Sequence, residues 1–220
     1  MRYEGFVKKI TDDIARNGQV RIMEMPELDL YLDQIAKFMD DKLSIYKKEE
    51  KDKILTKTMI NNYSKNNIIP KPVNKKYSRQ HLMLLIMIYH MKSILSMKDM
   101  ELLMKPLIEN YNSELEDKID IEDIYFILQE IQREELDSVK KYIADSTESV
   151  KEYLKEINMQ DDDILEVFML ITLLTNRANI QKNIAEKLVA EFFTTEKAET
   201  KKDKNKQEKK KVKEIKPSTK

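Results

Sequence analysis

Five polar residues crowd into one nine-residue window: Lys57, Thr58, Asn61, Asn62 and Lys65. With Lys57 set to zero on a helical wheel they fall at about 0°, 100°, 40°, 140° and 80°. Met59, Ile60 and Tyr63 fall on the other side, at about 200°, 300° and 240°. One face can therefore pack while the other presents amides, a hydroxyl and ammonium groups. An Asn amide can donate to and accept from adenine at once, and Lys reaches guanine or phosphate. The surroundings suit that chemistry. From Lys53 to Lys98 the chain has no Asp or Glu, although 40 of its 220 residues are acidic. A carboxylate beside a phosphate backbone would oppose binding, so an acid-free stretch suits a nucleic-acid surface. Any solvated helix face is also polar, and that plainer reading stands beside this one.

Other chemistry is poorly provided for. His81 and His90, the only histidines, sit nine residues apart on one expected helix. That spacing turns them about 180° from each other, so they do not chelate one metal and are read as polar contacts or exposed groups. The only glycines are Gly5 and Gly18, so no glycine-rich phosphate loop exists. The pairs Glu134–Glu135 and Asp161–Asp163 lie in highly charged segments and read as solvated faces or helix caps. No catalytic residue, cofactor or metal is expected, and the chain does not read as an enzyme. Zero Cys fits a reducing compartment. The N-terminus, MRYEGFVKKITDD, carries acids and no apolar core, so no signal peptide is read. The longest apolar run, Leu82 to Tyr89, is far short of the roughly 20 residues that span a bilayer. A cytoplasmic protein with no membrane partner is expected.

A formal net charge of zero hides a partition. Residues 53–98 carry nine basic groups and no acid, whereas residues 99–170 carry 7 basic and 21 acidic ones. The segment 196–220 returns to basic, with 11 against 5. Few Gly and Pro among many Leu, Ile, Met, Lys and Glu predict helices. Periodicity places a short helix over 3–16, and a second opened by Pro26 with Leu28, Leu32, Ile35, Phe38 and Leu43 on one side. The helix capped by Thr56 runs through Asn66, with Asn67 suited to a left-handed residue beyond it. The proline-rich IIPKPVNKK follows. Ser78 caps a helix to about Ile94, and Ser96 with Asp99 forms a capping box for a short one that stops near Pro106. Residues 121–157 read as one long helix or two end to end, and a last helix runs from Ile164 towards Phe193. The Met residues at 83, 87, 91, 97, 100 and 104 are read as adaptable core packing.

The stretch TKTMINNYSKNNIIPKP, followed by YSRQHLMLLIMIYHMKSILSMKDMELLM, resembles the DNA-binding domain of MerR-type transcription regulators. The matching positions are Thr56, Tyr63, Ile68, Ile69, Pro70, Tyr77, Ser78, Leu82, Leu85, Ile88, Leu95, Ser96, Met97 and Met100. More closely, about residues 24–130 resemble the uncharacterised bacterial family known as domain of unknown function 1836, grouped with MerR-like helix-turn-helix proteins. The resemblance implies a winged helix-turn-helix and a regulatory role. Three positions differ from the MerR pattern. Asn61 stands where an Arg is usual, only four residues separate Pro72 from Tyr77, and the connection from Ile45 to Leu55 is long.

The expected protein is all-α, divided into an extension (1–23), a MerR-like helix-turn-helix (24–106), an acidic helical oligomerisation or effector region (107–194) and a disordered Lys-rich tail (195–220). The expected function is sequence-specific binding of double-stranded DNA by a transcriptional regulator acting as a homodimer. Lys57, Thr58, Asn61, Asn62 and Lys65 would face bases and nearby phosphates. Lys71, Lys75, Lys76 and Arg79 would hold the backbone, and Tyr63 would set the helix or reach a phosphate. The rival reading is a protein-interaction module that keeps this fold without DNA, its basic block docking on an acidic partner or on the chain's own acidic half.

Overall fold

The computed structural model describes residues 2–111, 120–159 and 162–193. Seven α-helices, two short 3-10 turns (Ile22–Glu24 and Ser44–Tyr46) and one two-stranded sheet make up the regular structure of these residues. They are α1 (Arg2–Asn17), β1 (Leu30–Tyr31), α2 (Leu32–Lys42), α3 (Lys57–Lys65), β2 (Lys76–Tyr77), α4 (Arg79–Met91), α5 (Met97–Tyr111), α6 (Ile121–Glu156) and α7 (Asp163–Phe192). The expected Lys-rich tail lies outside the described residues. No helix of the described residues is long and apolar enough to cross a membrane.

α4 is the axis of the core. Leu82, Met83, Leu84, Leu85, Ile86 and Ile88 are all buried, so the helix is enclosed on nearly every side, as its uniform apolarity requires. Around it pack Ile35 and Met39 of α2, Ile60 and Tyr63 of α3, Met100 and Met104 of α5, and Ile121 and Tyr125 of α6. Val189 of α7 joins the same cluster.

Two expected boundaries are corrected. Pro26 does not open a helix: Leu30–Tyr31 is extended and α2 begins at Leu32. ELDLYLD alternates as a strand does, and pairing Leu30 with Tyr77 and Tyr31 with Lys76 satisfies its backbone. α5 does not stop near Pro106 but runs through it to Tyr111. Proline removes one backbone donor, and tertiary packing of Met104 and Ile108 holds the helix on either side. The Ser96–Asp99 box at its start is formed, with the Asp99 amide donating to Ser96 Oγ at 3.1 Å. The long acidic segment is one helix of 36 residues.

The segment between α1 and β1 is stitched to α6 and α4. Tyr125 Oη and Gln129 Nε2 both donate to the Val20 carbonyl, at 2.8 and 2.6 Å. Gly18 lies against Tyr46, whose hydroxyl donates to its carbonyl at 3.1 Å. A Cβ at Gly18 would meet Tyr46 Oη at 2.6 Å and the Ile14 carbonyl oxygen at 2.5 Å, so only glycine fits this crossing.

His81 is buried and satisfied on both ring nitrogens. Nε2 pairs with the Pro70 carbonyl at 3.2 Å, and Nδ1 accepts from the Ser78 amide at 3.1 Å, which describes a neutral ring. Burial lowers the pKa of His81, opposed in part by the Pro70 carbonyl and by Asp29; burial lowers that of His90 too. An imidazole harder to protonate when folded adds stability above its unfolded value of about 6.5, and that stability is lost as pH falls below it. The urea midpoint is therefore expected to fall between pH 7 and pH 5, and a flat profile there would contradict the neutral-ring assignment.

Candidate nucleic-acid interface

α3 starts at an N-cap: Thr56 Oγ1 accepts from the Met59 amide at 3.2 Å. It ends where Asn67 takes a left-handed φ of 54°. Ile60 and Tyr63 are buried, and Lys57, Thr58, Asn61, Asn62 and Lys65 are all exposed. The five residues thus share an open face. Tyr63 is 2% exposed and belongs to the core.

The hairpin after Pro72 is built on two residues. Val73 and Lys76 exchange backbone hydrogen bonds at 3.1 and 2.9 Å, with Asn74 and Lys75 between them at φ 51° and 62°. Two successive positive φ values are the signature of a type I′ turn, which normally uses Asn-Gly. Lys75 stands where Gly would be relaxed, at a cost of about 1–2 kcal/mol. β2 continues this hairpin and pairs with β1, so the wing is anchored on the residues just before α2.

Wing and α3 meet. Asn61, Lys75, Tyr31, Asp33, Pro72 and Tyr77 line one notch. Lys65, Lys71 and Lys75 are exposed and make no ion pair among the described residues. Lys76 is half-buried, its ammonium 5.4 Å from the Tyr31 ring centre. Arg79, expected on the backbone of a duplex, is turned inward instead. Its Nη2 donates to the Ile22 carbonyl at 2.8 Å, and its Nε is buried without a partner among the described residues. α4 begins at Arg79, against the 22–24 turn.

Two features of this face come from residues distant in sequence. Asp33, at the start of α2, ion-pairs with Lys57. An acid therefore sits beside the stretch that contains none. Tyr31 adds an exposed ring next to the wing. The alternating ELDLYLD pattern was the one signal that could have placed both there, by reading β1 as the wing's partner strand.

The connection between α2 and α3 is fastened by one buried carboxylate. Asp40 Oδ1 accepts from the Ile54 amide at 3.0 Å, while Oδ2 takes Lys47 at 3.0 Å and Lys53 at 2.9 Å. Burial alone would raise this acid's pKa, but the Ile54 amide, Lys53 and Lys47 together bring it down to about 2. Asp40 thus fixes Ile54 and Leu55, the residues that lead into the α3 cap.

Residues 20–128 match the family described as Domain of unknown function (DUF1836). No curated protein and no solved structure matches the chain. The DUF1836 stretch begins at Val20 and ends in the first turns of α6, and these are the two places that Tyr125 ties together. The boundary expected at 106 falls within α5.

Proposed function

We propose that the DUF1836 region is a MerR-like winged helix-turn-helix, that it binds double-stranded DNA with α3 in the major groove, and that the chain is a cytoplasmic transcriptional regulator working as two copies. The observation that carries this reading is the shared notch. The open face of α3, through Asn61, and the wing tip, through Lys75, lie on one side of the molecule. A helix face offering amides suits base edges, and unpaired lysines beside it suit phosphates. The order strand, helix, helix, hairpin, helix, helix supports the MerR-like assignment. The strained Lys75 supports a role at the wing tip, because left-handed non-glycine residues cluster where function holds them.

In this reading Thr58, Asn61 and Asn62 read bases. Lys57, Lys65, Lys71 and Lys75 hold phosphates, and Lys76 works through Tyr31. Asn61→Ala is expected to relax preference at one base pair by about 1–3 kcal/mol while leaving affinity for random duplexes nearly unchanged. Sequencing of bound duplexes from a random pool measures this. An unchanged site preference would remove Asn61 from the reading residues.

One observation favours the rival, a protein-interaction module. Asp33 already occupies Lys57, as a carboxylate on a docking partner would. An acidic protein segment could occupy the remaining lysines in the same manner. Duplex affinity that stays negligible at low salt would decide for that reading.

A further inference from the structure

α1 and the part of α6 beyond residue 128 both lie outside the DUF1836 match, and between them they enclose a cleft of about 400 Å³. Small-molecule sites run from roughly 300 to 1,000 Å³, so the cleft falls at the lower end of that range. Ion pairs fasten its two ends. Glu4 pairs with Lys151, and Asp12 with Lys140 at 2.9 Å, so α1 crosses α6 in the antiparallel sense. Glu4 and Asp12 stand about 12 Å apart along α1. Between these pairs Val7, Ile143 and Ala144 give the cleft an apolar lining. Three hydroxyls line it as well, and the proton of each is already committed. Tyr3 Oη donates to the buried Glu166 carboxylate at 2.6 Å. Thr11 Oγ1 donates to the Lys8 carbonyl at 2.9 Å, and Thr147 Oγ1 to the Ile143 carbonyl at 2.8 Å. A hydroxyl that has donated its proton keeps only lone pairs. All three therefore offer acceptors and no donor.

We propose that this cleft binds a small protonated amine with an apolar body of one or two rings. The ammonium N–H groups donate to Glu148 and to the remaining lone pairs of the hydroxyls, while the body covers Val7, Ile143 and Ala144. The charges on the rim support this sign. Lys140 and Lys151 already hold Asp12 and Glu4, whereas Glu148 is exposed and makes no ion pair among the described residues. Lys8, the remaining cation of the lining, is exposed and free to extend into water. The wider surroundings agree, since residues 99–170 carry 21 acidic groups against 7 basic ones and so raise the local concentration of cations. A carboxylate of the same shape would face three acceptors and a like charge. A quaternary ammonium would bring the charge but no N–H for the lone pairs to accept. The proposal goes beyond the DNA reading and does not rest on it, because neither wall of the cleft belongs to the α3 face or the wing.

Tryptamine is a probe of this class, and because the chain has no Trp its indole fluorescence reports binding directly. Titration with the full chain, near neutral pH and without DNA, is expected to show one saturable site with a Kd below about 1 mM. Indolepropionate, the same body with a carboxylate, and the trimethylammonium analogue of tryptamine should each bind at least about tenfold more weakly. Glu148→Gln and Ala144→Phe, both at exposed positions on the rim, should each weaken tryptamine about tenfold or more with helicity unchanged. Glu134→Gln, at an exposed acid elsewhere on α6, should leave the affinity as it is. No saturable binding up to about 5 mM, equal affinity for the three probes, or native affinity in Glu148→Gln would each overturn the proposal. Because no duplex is present, these outcomes are separate from the fate of the DNA reading.

Discussion

Asp40→Ala is expected to destabilise the protein by about 3 kcal/mol, since hydrogen bonds to a charged group contribute roughly 1.5–3 kcal/mol and a buried donor left unpaired costs about 1–3 kcal/mol. The Ile54 amide is the buried donor in question. Lys53 is largely exposed and can turn to water, but Lys47 is mostly covered and is deprived of the carboxylate it pairs with. Asp40→Asn keeps an acceptor for Ile54 and should cost less, about 1 kcal/mol. Acid should reproduce the effect in the native protein. With the folded carboxyl near 2 and an unfolded value of about 4, its contribution is complete above pH 4 and is lost as pH falls from 4 towards 2. Urea unfolding of the three proteins measures all of this. A change below about 0.5 kcal/mol for Asp40→Ala, the range of ordinary surface substitutions, would mean that the α2–α3 connection is held by something else.

Lys65→Glu combined with Lys75→Glu is expected to lower affinity for any duplex at least about 100-fold near 50 mM salt, and to flatten the log–log salt slope by about 2, one for each phosphate left without its lysine. Both lysines are exposed and without an ion pair among the described residues, so their replacement removes no internal support. Lys155→Glu, at the far end of α6, should change affinity little. Asp33→Ala should act in the opposite direction, raising affinity by about two- to fivefold as Lys57 is released to a phosphate. Anisotropy titrations at several salt concentrations read all three variants. Equal losses of affinity at Lys155 and at the Lys65/Lys75 pair would mean that overall charge, and no particular face, attracts the duplex.

What the sequence told and what it withheld follow from the range of the interactions involved. The α3 wheel needed only local periodicity, and Ile60 and Tyr63 are buried where it placed them. The Thr56 cap, the Ser96–Asp99 box and the left-handed Asn67 rest on interactions within a few residues and were readable for that reason. Arg79 and Asp33 were not. Arg79 looks like a surface cation until the Ile22 carbonyl, 57 residues away, takes it inward. The acid-free window from Lys53 to Lys98 describes the chain as a line, and Asp33 enters its face only because β1 pairs with the wing and starts α2 there. Asp40 was invisible for a related reason. The connection from Ile45 to Leu55 read only as long, and its order depends on one carboxylate from the preceding helix.

The central claim is that the α3 face and the wing exist for DNA. The most direct measurement is the affinity of the full chain for a pool of random duplexes by fluorescence anisotropy at about 50 and 200 mM salt, with sequencing of the bound fraction. Binding to about six phosphates predicts a log–log slope near −5 and an enriched site with two-fold symmetry. Absence of binding at the lower salt would contradict the claim and assign the notch of Asn61 and Lys75 to a protein partner.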